Sequence, residues 1–521
     1  MDTSSTPKAA AASAGVPESL VPDPRRRLIV FLVLMTGMFM ATLDNQIVAT
    51  ALPTIVGEFG ALERFGWVGS AYLLASSAVM PIYGKLGDLF GRKYVIMAAV
   101  AIFTMGSLVC GLAVSMNTLI AARVLQALGG GGIMVSIFSV NADLFAPRER
   151  AKYQSYSSLV LMMSGAIGPV LGGTLSDLFG WRSIFLVNLP IGIAVLILLA
   201  ILLPYRRPQR RPKIDFLGAA LLAGAIATVV LWADSGQIFG SLVASGSLMT
   251  LALGALCATA WVFVERRAPE PVMPLSLFKS PTFSLMLVIS IGSGAVGIGM
   301  VNYTALFLQT TTGLSPSLAG LMFVITTGGI AAGSLTAGRL ISRSGRYKIF
   351  SIASTATMVL AMLLFSRLGA GTPIILIGAV MLFQGLGIGV GQQVPIIGVQ
   401  NASRVGDVGA ATGAVTLTRM AGASLGISIY NAIVSSGIAG SGLKIPGVES
   451  IEQLTPKALA GLPAEMQQKI AEVYAEAFHP MYLAAAALCG MAFLAALALK
   501  NTQLPTHKLD PTANAKVVPA K

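Results

Sequence analysis

Fourteen runs of about twenty residues, nearly free of charge, divide this sequence, and they restrict its possible folds more than any other feature. They lie near residues 28–52, 65–84, 94–114, 117–141, 155–176, 183–204, 215–234, 246–264, 282–309, 315–341, 348–367, 373–397, 408–436 and 480–500. At ~1.5 Å per residue a helix of this length crosses the hydrocarbon core of a bilayer. Lipid offers the backbone no hydrogen-bond partner, so the runs are predicted as helices. Composition agrees. The chain is 55% hydrophobic and 11% charged, whereas soluble domains carry roughly 25% charge. Its 57 glycines suit helices that pack closely in a membrane. The expectation is an all-α membrane protein.

Charge sets the orientation. The net charge of +14 would suggest nucleic acid on a soluble protein. Here the basic residues fall in short loops, which points to topology and excludes a nucleic-acid partner. Of 35 Lys and Arg, 27 lie on the side that holds the N-terminus. That side is predicted to be cytoplasmic, with both termini inside an inner (plasma) membrane. Arg123 and Arg419 fall well inside spans. Cys110, Cys257 and Cys489 sit within apolar runs and read as packing residues. His479 and His507 are too few for a metal site. No metal and no cofactor is expected. The first run is predicted to remain as a span, with no cleavage site before it.

A repeat organises the runs. The loop after the second reads Gly84-Lys85-Leu86-Gly87-Asp88-Leu89-Phe90-Gly91-Arg92-Lys93. The loop after the tenth reads Gly338-Arg339-Leu340-Ile341-Ser342-Arg343-Ser344-Gly345-Arg346-Tyr347. Gly, a basic residue, Leu and then Gly-Arg recur at the same offsets, eight spans apart. The chain therefore reads as two six-helix bundles plus two inserted helices, a 6+2+6 arrangement of fourteen transmembrane helices. The expected division is a cytoplasmic tail 1–27, an N-terminal bundle 28–204, the inserted pair with its loops 205–281, a C-terminal bundle 282–500 and a tail 501–521. The long outer loop 437–479 carries Met466, Ile470, Val473 and Ala477 at helical spacing, which predicts a short amphipathic helix on the outer surface.

The Gly84–Lys93 loop resembles the signature loop of the major facilitator superfamily. Its glycines permit a tight turn. Asp88 is placed to meet a helix N-terminus and to pair with Arg92 or with a basic group of the other half. Gly84, Asp88, Gly91 and Arg92, with Arg339 and Arg343 of the repeat, form the expected gating latch. In the fifth span, Gly165, Gly168, Pro169, Gly172 and Gly173 make a smooth, kinked face. This is similar to the antiporter motif of drug-exporting facilitators. The first span ends Leu43-Asp44-Asn45-Gln46-Ile47-Val48-Ala49-Thr50-Ala51-Leu52-Pro53, similar to the fourteen-span drug–proton antiporters of the EmrB/QacA type, with Gln46 and Ala49-Thr50 departing from that pattern. Trp181–Gly192 is another family-like run.

A carboxylate inside a membrane span is costly and is a functional candidate by default. Asp44 is such a group. The fourth span holds Arg123-Val124-Leu125-Gln126-Ala127-Leu128-Gly129, similar to the family's Arg-x-x-Gln-Gly motif. Depth along the two spans places Asp44 and Arg123 at the same level, ~9–12 Å from the outer surface, so that they pair directly or through water. They are the expected proton-coupling residues. Gln46, Gln126, Asn302, Tyr303, Gln384 and Gln392 are candidates for the cargo site.

The resemblance implies a proton-coupled exporter of amphipathic, neutral or monocationic small molecules, working by alternating access as a monomer, with periplasmic adaptors as conceivable partners. A dedicated transporter of a metabolite such as a siderophore or sugar is the alternative. An enzyme is excluded by the lack of a nucleophile motif, a nucleotide loop or clustered His and carboxylates.

Overall fold

The structure, a computed structural model, describes residues 20–59, 65–206, 215–233, 235, 244–314, 316–441 and 463–505. The part of the outer loop at 442–462, the basic stretch 207–214 and both ends of the chain lie outside the described residues. The described chain is helical, with a single isolated bridge between Arg346 and Gln503.

The helices run α1 Pro24–Phe59, α2 Phe65–Phe90, α3 Arg92–Gly111, α4 Met116–Leu144, α5 Pro147–Phe179, α6 Ser183–Leu186, α7 Asn188–Leu202, α8 Phe216–Ala233 and α9 Ser245–Glu265. They continue as α10 Pro281–Gly297, α11 Val301–Thr310, α12 Pro316–Ser344, α13 Lys348–Phe365, α14 Ile374–Gly391, α15 Val394–Ala402, α16 Val408–Gly440 and α17 Ala464–Ala498. Local chemistry explains several starts. Asp23 accepts from the backbone N–H of Arg25 at 3.1 Å ahead of α1, and Ser115 and Thr118 form a capping box at α4. Proline opens α5 and α10, where its missing N–H costs nothing.

Among the described residues, ten helices are long and apolar enough to cross a membrane, or eleven if bent α5 counts as one span. The sequence reading expected fourteen. The difference has physical causes. The expected span 282–309 is interrupted between Gly297 and Val301, so neither α10 nor α11 is long enough alone. The described apolar part of α8 is short. α2 is diluted by serines, tyrosines and Pro81.

Two further expectations change. The stretch around Met466–Ala477 is no separate surface helix. It is the first part of the continuous α17, and Ile470, Tyr474 and Ala477 are buried against the C-terminal helices. Its apolar stripe meets protein, which buries it better than the interface would. The expected span 373–397 stands within one candidate span, Ile374–Ala402, whose helix is interrupted at Gln392–Gln393, with Pro395 in the first turn of α15.

α8 and α9 pack on each other. α8 also lies against α2 and α16, one of the helix pairs that join the N-terminal and C-terminal sets of helices, the other being α5 and α12. The core is forked. One apolar cluster joins both sets at the end carrying the Gly84–Lys93 loop, through Tyr83, Phe138, Phe145 and Leu144 on one side and Phe283, Met286, Ile341 and Val415 on the other. At the opposite end each set has its own cluster: Leu43, Ile47, Leu119, Trp181 and Phe185 in the first, Phe307, Phe365, Phe478 and Tyr482 in the second. The two sets are therefore closed together at the latch end and apart at the far end.

Candidate functional site

Asp44 and Arg123 are 0% and 1% exposed. α1 carries the carboxylate and α4 the guanidinium. Arg123 Nη1 donates to Asp44 Oδ2 at 2.5 Å and to Gln126 Oε1 at 2.6 Å. Asp44 Oδ1 accepts from Gln126 Nε2 at 2.8 Å and from Asn188 Nδ2 at 2.8 Å. Gln126 Nε2 also reaches Ser107 Oγ at 2.7 Å, and Arg123 Nη2 reaches Asn45 Oδ1 at 3.4 Å. The guanidinium lies 4.2 Å from the centre of the Tyr72 ring, a cation–π contact. Every partner of Asp44 donates, so the arrangement suits a carboxylate. The pairing expected from depth is direct.

The reading of the sequence did not join Asn188, Ser107 or Tyr72 to this network. Asn188 was the detectable one, since α7 starts on it inside an otherwise apolar run. Ser107 and Tyr72 give no sequence signal, because a serine or tyrosine in a span ordinarily satisfies itself locally.

The latch forms at the other end. Asp88 accepts from Arg92 Nη2, and from the backbone N–H groups of Gly409 at 3.2 Å and Ala410 at 3.1 Å, in the first turn of α16. Arg92 Nε also donates to Asp143 at 3.2 Å. Asp88 thus meets both Arg92 and a helix N-terminus of the other set. Burial pushes its carboxyl up to about 6, against the pull of Arg92 and the two N–H groups. Gly84 allows the contact: a Cβ there would lie 2.2 Å from Gly409 O. Gly91 and its repeat counterpart Gly345 have φ of 90° and 69°, which only glycine adopts without strain.

Arg339 and Arg343 take no part in this latch and are exposed. Their place across the seam goes to Arg148 and Arg150. Arg150 Nη1 donates to Gln400 Oε1 at 3.1 Å, and Arg148 Nε to Leu504 O at 2.9 Å. Lys85 pairs with Glu270, in the segment after α9, at 3.0 Å. These long-range contacts escape a reading of local pattern.

The α5 glycines are split in their surroundings. Gly168 sits against Gln46 of α1, where a Cβ would meet the Gln46 Cβ at 2.4 Å. Cβ atoms on Gly165 or Gly173 would meet nothing within 4 Å. Gly172 is buried. α5 bends by 41° between Gly168 and Val170; the side chain of the intervening Pro169 lies outside the described residues. The candidate cargo residues do not converge. Gln126 belongs to the Asp44 network and Gln46 to the α1–α5 contact. Tyr303 donates to Ile427 O at 3.1 Å, Gln384 is buried in the C-terminal set, and Gln392 Oε1 accepts from Ser158 of α5 at 2.6 Å. The side chain of Asn302 lies outside the described residues.

This geometry is that of a known family. Residues 34–427 match the model of the Major Facilitator Superfamily. The chain belongs to that superfamily. An uncharacterised MFS-type transporter of Mycobacterium tuberculosis is 34% identical over 494 residues, covering 92% of this chain and 71% of that protein. The multidrug transporter protein MdtP of Bacillus subtilis is 31% identical over 421 residues, covering 79% of this chain and 76% of that one. Among solved structures, the human organic anion transporter MFSD10 superposes with a TM-score of 0.61 at 16% identity, over 90% of this chain and 100% of that one; this likeness concerns the fold. The chain is thus a multi-pass membrane transporter of small molecules, with multidrug and efflux transporters among its relatives, and no catalytic activity is indicated.

Proposed function

We propose that this chain is a proton-coupled exporter of amphipathic small molecules that works by alternating access. The observation that carries the reading is Asp44, a carboxylate inside a span whose three donor side chains come from two other helices. When Asp44 takes a proton, its oxygens lose acceptor strength and Arg123, Gln126 and Asn188 lose their anchor on α1. α1 is then free to shift against α4 and α7. Proton binding and helix movement become one event, which coupling requires.

In this proposal the latch end is cytoplasmic, as the loop charges favour, and both termini lie inside. Spans one to six and nine to fourteen form the moving bundles of a 6+2+6 chain, with α8 and α9 as the inserted pair. The forked core then corresponds to an outward-open state. With Asp44 the one carboxylate well inside either bundle, cargo is neutral or singly charged, because a dication would arrive without enough counter-charge.

Everted vesicles test the reading. Accumulation of at least one member of a panel of fluorescent amphipaths should follow an imposed proton gradient and collapse with an uncoupler. Accumulation indifferent to the gradient would overturn it.

A further inference from the structure

Arg123 and Arg419 lie inside the spans, and among the described residues only Arg123 has a counter-charge. Arg123 has Asp44. Arg419, on α16, donates from Nη2 to the backbone carbonyl of Gln392, while its Nε is buried with no acceptor among the described residues. The sequence holds no Asp or Glu from residue 271 to residue 406. Asp407, at the N-cap of the same helix, is twelve residues away, ~18 Å along the axis. Buried cations are rare without a partner, because desolvation is uncompensated.

Capping accounts for part of this contact. The break between α14 and α15 frees the Gln392 carbonyl, and Arg419 satisfies it. A neutral amide would do the same. A guanidinium has five N–H donors and a charge, and neither the charge nor the orphan Nε is explained by one carbonyl.

Its location is telling. Gln392 meets Ser158 of α5, and Ser158 lies 2.7 Å from Ser334 of α12. This is the seam between the two sets of helices, at the point where the forked core begins to part. The neighbouring Gln393 adds a buried amide oxygen without a partner among the described residues. Arg419 is half-buried beside this seam.

We propose that Arg419 is the head-group contact for cargo carrying a single negative charge, a carboxylate or sulfonate on an apolar body. This rests on the export reading above and narrows its charge: among the described residues Arg419 is a positive charge inside a span without a counter-charge, so the favoured cargo is neutral or monoanionic rather than cationic. The guanidinium donates to the cargo's oxyanion from the N–H groups that Gln392 leaves free.

The test uses purified full-length protein in nanodiscs and three probes with one skeleton: pyrenebutyrate, pyrenebutanol and pyrenebutyl-trimethylammonium. Fluorescence titration should show the parent binding the anion about ten- to a hundredfold more tightly than the alcohol. Arg419→Gln keeps a donor for Gln392 and should bring the anion to the affinity of the alcohol. Arg419→Lys keeps the charge and should retain much of the preference. No anion preference in the parent, or an undiminished one in Arg419→Gln, would overturn the proposal. Uptake into vesicles separates the two readings. Proton-driven uptake of the alcohol without anion preference leaves export standing and removes the anion site. An Arg419-dependent preference in a protein that accumulates none of the probes leaves the anion site and removes export.

Discussion

Asp44 is held by hydrogen bonds that arrive on α4 and α7, so changing one carboxyl oxygen alters three helices. Asp44→Asn keeps the shape and removes the proton. It should bind cargo as the parent does and lose proton-driven accumulation. One proton moving through 100 mV supplies ~2.3 kcal/mol, so the parent should sustain roughly a 50-fold gradient at that potential and the variant none; vesicle uptake reads both. At the latch, burial sets the Asp88 carboxyl at about 6. Opening returns it to water and to its ordinary lower value. The closed latch therefore holds the proton more tightly, and acid favours closure. In an Asp44→Asn background, cysteine accessibility at the latch end should fall as pH drops through about 6. Accessibility unchanged across that range would remove Asp88 as the titrating group. Asp88→Asn should leave the protein folded in the membrane and reduce transport. At this scale the sequence was partly readable. Asp44, Arg123 and Asp88 stand out because charge inside or beside an apolar span needs a reason. Ser107 and Tyr72 do not, because each becomes functional only through a neighbour that folding supplies.

Two glycines of α5 make different predictions although the sequence presents them alike. Gly168 already presses on Gln46, whereas Gly165 faces open space in this state. Gly168→Leu should lower stability by ~1–3 kcal/mol through overpacking and cut transport. Gly165→Leu should leave the melting temperature unchanged and cut transport, because the side chain obstructs only the closing movement. Equal thermal shifts in the two variants would contradict this. Elements were legible where a long apolar run met a clear stop, as in α3, α4 and α13. The breaks at 298–300 and at Gln392–Gln393 were hidden because both lie inside continuous apolar runs, where hydropathy does not register a lost backbone bond. The amphipathic start of α17 was visible as a pattern. Its partner was not, since protein and lipid surfaces both accept an apolar stripe.

For the whole molecule, the repeated Gly84 and Gly338 loops are the ground for proposing two related halves, and the eight-span offset is the ground for proposing an inserted pair. The state of the molecule was not readable, because one sequence serves every state of a transporter. The forked core supplies it: one shared apolar cluster at the latch end, two separate ones at the far end. In the proposed mechanism, the protonation of Asp44 moves the molecule between states. Pulsed electron–electron distance measurement tests this without any cargo. Spin labels at Leu178→Cys on α5 and Leu321→Cys on α12, both exposed at the far end, are placed in protein lacking Cys110, Cys257 and Cys489. At neutral pH the parent should show mainly the long distance of the open mouth. Asp44→Asn, which imitates the protonated carboxyl, should shift the population to a shorter distance. Identical distance distributions in the two proteins would contradict the account.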